Sequence, residues 1–150
     1  MRARWFGFRV SVLAMLSCAS LACSDDGGGD DPGGCLQNLS VDCGSIVWTD
    51  YQAIWDNRLS GCGSADTQGN CHSAQGRMGG LLLSDADTAY DALLGGQDGK
   101  ARVIPTDPAC SELVKRITST DRAYQMPPNS PMTAVEQCSI IQWIAKGAER

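Results

Sequence analysis

Eight cysteines in 150 residues constrain this chain more than any other feature, because their fate depends on where the protein is delivered. The opening residues bear on that. Arg2, Arg4 and Arg9 make a basic n-region, an apolar stretch runs from about Val10 to Leu21, and Ala22 precedes Cys23. Residues 1–22 therefore read as an export signal, and the apolar run falls short of the roughly 20 residues that a transmembrane helix needs. Six cysteines follow the signal and its junction: Cys35, Cys43, Cys62, Cys71, Cys110 and Cys138. In an oxidising compartment an even count suggests pairing, and each bridge contributes on the order of 2–4 kcal/mol. Sequence alone does not select the connectivity; proximity along the chain favours Cys35 with Cys43 and Cys110 with Cys138. Zinc is disfavoured, since the cysteines are not closely paired and the chain holds a single histidine.

The Ser20-Leu21-Ala22-Cys23 step resembles a bacterial lipobox, with the leucine two rather than three residues before the cysteine. The expectation is a lipoprotein signal peptide over 1–22 and acylation at Cys23, with Cys18 as a rival site and ordinary secretion as the alternative. Acyl chains, at about 0.8 kcal/mol per buried CH₂, would hold such a protein on a membrane. Residues 23–34 then form a lipid-anchored linker, because Ser24 to Gly34 has four aspartates, five glycines and nothing to bury. Removing residues 1–22 leaves 9 basic against 17 acidic side chains. That balance argues against a nucleic-acid partner, which would need a basic face. The 128 remaining residues are enough for one domain, taken as 35–150.

Helical periodicity and caps predict an all-α domain. A first helix spans about Asp50 to Leu59, with Tyr51, Ile54, Trp55 and Leu59 on one face before Gly61 and Gly63 break it. A second begins at Ser84, with Ser84-x-x-Asp87 as a capping box, and stops at Gly95-Gly96. A third has Asp107 as N-cap and Pro108 in the first position, with Leu113, Val114 and Ile117 inward. The fourth starts at Thr133, with Glu136 three residues on, buries Val135, Ile140 or Ile141, and Ile144, and ends at Gly147. Long Gly/Pro-rich loops separate them, which calls for a cofactor, disulfides or both to hold them.

The single histidine, His72, directly follows Cys71. Cys-His ends the c-type haem attachment signature, where two thiols bond the porphyrin and the histidine ligates iron. The upstream thiol here is Cys62, with eight residues between it and Cys71 rather than two; a Gly-rich insertion of that length can loop out, and the same closeness would serve a Cys62–Cys71 disulfide. Met126-Pro127-Pro128 offers a thioether on a stiff loop, and His plus Met is the axial pair of electron-transfer cytochromes. A lone methionine is otherwise a core filler. A Ser-His-Asp hydrolase would have to use His72, and no Gly-x-Ser-x-Gly elbow accompanies it.

With Gly79-Gly80-Leu81-Leu82-Leu83, Val103-Ile104-Pro105, Ser111-Glu112-Leu113-Val114, Met126-Pro127-Pro128 and Trp143 to Ala148 in that order, the chain resembles the cytochrome c-like domains of planctomycete and myxobacterial envelope proteins. The resemblance covers about Tyr51 to Ala148 and departs from the family in the spacing of Cys62 and Cys71. It implies a small cytochrome c-like helical domain carrying haem c, with Cys62 and Cys71 as attaching thiols and His72 and Met126 as axial iron ligands. Leu81, Leu83, Tyr90, Ile104 and Trp143 are candidates for the pocket wall, or for ordinary core. The implied function is a lipid-anchored electron carrier in the cell envelope, periplasm-facing or on the outer membrane, rather than a catalyst. Its partner would be an envelope redox protein or complex. The alternative is a haem-less, disulfide-stabilised interaction or structural module derived from a cytochrome.

Overall fold

The computed structural model describes residues 34–63 and 70–150. The export segment, Cys18, Cys23 and residues 23–33 of the linker lie outside these, as do residues 64–69 of the insertion between Cys62 and Cys71. The described residues are helical, with no strand among them. None of their helices is long and apolar enough to cross a membrane.

Helix α1 (Tyr51–Ile54) is capped by Asp50, whose carboxylate accepts from the Ala53 N–H at 2.8 Å. The helical run does not stop at Leu59. It widens into a π-turn over Trp55–Leu59 and returns to α geometry in α2 (Ser60–Gly63), so the two glycines expected to break it sit inside it. A side chain at Gly63 would collide with the Leu83 backbone, so this position stays bare and α2 lies directly on the Leu81–Leu83 segment.

Helix α3 (Ala86–Leu93) starts one residue later than expected. Asp85, not Ser84, is its N-cap and accepts from the Thr88 N–H at 2.8 Å, while Ser84 Oγ donates to Asp85. Helix α4 (Glu112–Thr118) is shorter than predicted. Asp107 caps only the turn leading to Cys110, and Ser111 takes the N-cap position while its hydroxyl is drawn back to Ile104 and Asp107. Helix α5 (Ala134–Ala145) carries the expected box: Thr133 and Glu136 satisfy each other's backbone N–H. Val135, expected inward, is 38% exposed, whereas Ile140, Ile141 and Ile144 are buried.

Helix α5 is the centre of the core, packing on both α1 and α4. Tyr51, Ile54, Val103, Val114, Ile140 and Ile144 are fully enclosed there. Tyr51 stands edge-on to Tyr90 with ring centroids 5.0 Å apart, and it also packs on Trp143 at 5.6 Å.

Two disulfides are present among the described residues, Cys35–Cys110 and Cys43–Cys138. All four cysteines assigned to bridges are bridged, but the pairing is crossed relative to sequence proximity. The cause is the path of residues 34–50, which run without regular structure across the helices instead of turning back on themselves. The Leu36 N–H donates to the Ala109 carbonyl at 2.8 Å, setting Cys35 beside Cys110. The Val47 and Trp48 N–H groups donate to Ser139 Oγ on α5, bringing Cys43 beside Cys138.

Candidate functional site

His72 ends a 3₁₀ turn, Asn70–His72, that packs against α2. The helix carrying Cys62 and the turn carrying Cys71 and His72 are thus neighbours. The Leu83 N–H donates to the His72 carbonyl at 2.8 Å, fixing the turn against the Leu81–Leu83 segment.

The imidazole is half-buried, and its Nδ1 lies 3.1 Å from the Met78 carbonyl. A carbonyl only accepts, so this contact requires the proton on Nδ1. Burial holds the imidazole pKa below its ordinary value of 6.5, against hydrogen bonding to the Met78 and Leu81 carbonyls; the nearby charges of Arg116 and Arg102 push in the same downward direction as burial. The ring is therefore neutral at pH 7, the state in which histidine ligates a metal. A ring nitrogen committed to a backbone carbonyl is also the usual way a ligating histidine is oriented.

The Cys62 thiol is half-buried and free, donating to the Arg58 carbonyl at 3.7 Å one helical turn back. Burial raises its pKa, opposed in part by the Arg58 charge, so it stays protonated. Cys71 is disulfide-bonded, and not to Cys62. The bridge between these two that the sequence left open is therefore not the arrangement found.

Met126 is half-buried in the loop after α4, its N–H donating to the Arg116 carbonyl at 3.1 Å. Arg116 is the link between the two candidate ligands, since its charge reaches His72 while its carbonyl holds Met126. Its guanidinium pairs with Glu112 at 2.7 Å and lies over the Tyr124 ring, and the Tyr124 hydroxyl donates to the same carboxylate. The Glu112–Arg116 pair and its stacking on Tyr124 were both missed in the sequence, although the i,i+4 spacing was a signal for the pair. Arg58 was also missed. Its Nη2 donates to the Ser130 carbonyl, while its Nε is buried with no hydrogen-bond partner among the described residues.

Of the suggested pocket residues, Leu83 and Trp143 are buried and Leu81 and Tyr90 half-buried, while Ile104 is 40% exposed. Tyr90 and Trp143 belong to the aromatic cluster around Tyr51, with the Tyr90 hydroxyl on the Ala148 carbonyl and the Trp143 Nε1 on the Glu149 carbonyl. They are core.

Residues 69–130 match the family model described as Planctomycete cytochrome C. Over this stretch the chain is similar to planctomycete-type cytochrome c domains. The matched stretch takes in Cys71, His72 and Met126 and leaves Cys62 upstream of it. No curated protein and no solved structure matches the chain.

Proposed function

We infer that this cytochrome c-like protein binds haem and carries electrons in the cell envelope, held there by a lipid on Cys23. The observation that carries the reading is the His72 imidazole: neutral, half-buried and tied through Nδ1 to a backbone carbonyl, it directs Nε2 away from that carbonyl as a candidate ligand. The donor set suits the group. His72 and Met126 would hold the iron, and Cys62 and Cys71 are the thiols that would attach the porphyrin. Attachment through Cys71 requires its disulfide to be reduced first. The buried, unpartnered Arg58 Nε beside Cys62 is a donor in want of an acceptor, and a porphyrin carboxylate is one.

Bound haem supplies a reversible one-electron couple. This chain's residues would do the rest. His72 and Met126 set the ligand field, Leu81 and Leu83 keep water from the side they face, and the acidic surface draws a basic redox partner from solution. The folded part carries 13 acidic against 9 basic side chains, so that attraction weakens as salt rises.

Expression of the full chain with a c-type maturation system tests the reading. A Soret band and a haem mass on the polypeptide support it. A colourless product with neither overturns it and leaves a disulfide-held interaction module.

A further inference from the structure

Arg102 is the one charged side chain among the buried residues described, 9% exposed, and its hydrogen bonds are unusually complete. Nη1 donates to Asp98 Oδ1 at 2.7 Å and to the Lys100 carbonyl at 2.8 Å; Nη2 donates to Asp98 Oδ2 and to the Gly79 carbonyl, both at 2.7 Å. Three of these bonds stay within the loop that follows α3. The fourth crosses to the turn at Met78–Gly80, whose Met78 carbonyl meets His72 Nδ1.

That turn has two backbone bonds of its own, the Gly80 N–H to the Arg77 carbonyl at 2.8 Å and the Leu81 N–H to the Met78 carbonyl at 3.2 Å, but its backbone is strained. Arg77, Gly79 and Gly80 all lie in the left-handed region, at φ of 43°, 61° and 72°. A Cβ on Gly80 would stand 2.8 Å from Asp98 Oδ2, so the ion pair closes directly on the turn. The side chain that grips Gly79 therefore acts with the Leu81 N–H in fixing where the adjoining Met78 carbonyl points.

We propose that the Arg102–Asp98 pair is a positioning device for His72: by holding the Gly79 carbonyl it sets the Met78 carbonyl opposite Nδ1, which locks the imidazole in its Nδ1-protonated tautomer and leaves the Nε2 lone pair as the donor. The inference deepens the reading of His72 as a ligand and rests on it for its purpose, though not for its test. Arginine is required because one planar fork must serve a carboxylate and two carbonyls together; a lysine ammonium cannot span them.

His72 is the only histidine in the chain, so histidine labelled with ¹⁵N reports a single ring. The probe is the full chain without haem, at a pH where the imidazole is neutral. The wild type should show one protonated and one unprotonated ring nitrogen as separate resonances. In Arg102→Ala and Arg102→Lys these should move toward a common average as the tautomers interconvert, and Asp98→Asn should give the same change to a smaller extent. Near-ultraviolet circular dichroism reports that each variant is folded. Asp98→Asn keeps the guanidinium and its carbonyl contacts, so it remains usable should Arg102→Ala unfold. Wild-type-like separate resonances in a folded Arg102→Ala or Asp98→Asn overturn the proposal, as does tautomer averaging in the wild type. Failure of the haem reading registers separately, as a colourless matured protein, and leaves the ring signals intact.

Discussion

Burial of the His72 imidazole determines how the protein responds to mild acid. Its folded pKa lies below the ordinary 6.5, so between those two values the unfolded chain binds a proton that the folded chain does not. Stability therefore falls as pH drops through 6.5, and the loss is complete once the pH passes below the folded pKa. No other histidine contributes in that window. Thermal melting from neutral to mildly acidic pH should show a declining midpoint, and His72→Gln should flatten the decline. A slope unchanged by that substitution would mean that the ring is solvated. Met126 carries a separate expectation. In haem-loaded protein Met126→Ala should keep the Soret band and lower the midpoint potential in a redox titration, because a thioether opposite histidine raises the potential. His72 and Met126 stood out in the sequence as candidates because a Cys-His step and a Met-Pro-Pro loop are contiguous signals. Arg102 and Asp98 did not. Asp98-x-x-x-Arg102 sits in a Gly-rich loop, where spacing of four residues carries no helical meaning, and the partner that gives it significance, Gly79, is 23 positions away.

At the scale of the elements, local chemistry was readable where the groups that satisfy a helix end sit next to it. The Thr133/Glu136 box was read residue for residue, and Thr133→Ala should lower stability by about 1 kcal/mol in chemical denaturation, the usual cost of losing an N-cap. The other starts moved because competing partners were close at hand. Asp85 displaces Ser84 since a carboxylate reaches the Thr88 N–H and hydroxyl together. Asp107 is spent on the turn to Cys110, and α4 begins only after Ser111 has satisfied the Ile104 N–H. The π-turn at Trp55–Leu59 had no sequence signal, and it is what carries the helix through Gly61 to Gly63 and keeps Cys62 on a helix beside the His72 turn. Val135 faces outward because α5 turns Cys138 and Ser139 toward the 34–50 segment, whose Val47 and Trp48 N–H groups the serine receives.

The whole molecule depends on that segment, which offered no motif to periodicity or capping rules. Its Trp48 is buried, Leu36 and Leu39 pack against the core, and its two cysteines bridge to Cys110 just before α4 and to Cys138 in α5. Pairing by sequence proximity would have closed loops of a few tens of residues at most. The observed bridges span 75 and 95 positions. Closing loops of that size restricts the unfolded chain far more, on the order of 4 kcal/mol for each bridge in the chain-entropy account. Most of a small domain's net stability, typically 5–15 kcal/mol, is of this size. Two measurements separate the crossed pairing from the local one. Peptide mapping without reduction should recover Cys35 linked to Cys110 and Cys43 linked to Cys138. Stability should then obey the same connectivity: the double variant Cys43→Ala with Cys138→Ala should lose about as much as Cys138→Ala alone, since either change opens the same bridge. Cys43→Ala with Cys35→Ala should lose roughly the sum of its two single changes, because it opens two. Local pairing reverses that order, with the Cys35 and Cys43 double variant costing no more than one of its singles. The comparison needs no haem, so it tests how the strap at 34–50 holds the scaffold on which His72 and Met126 are presented, independently of what they bind.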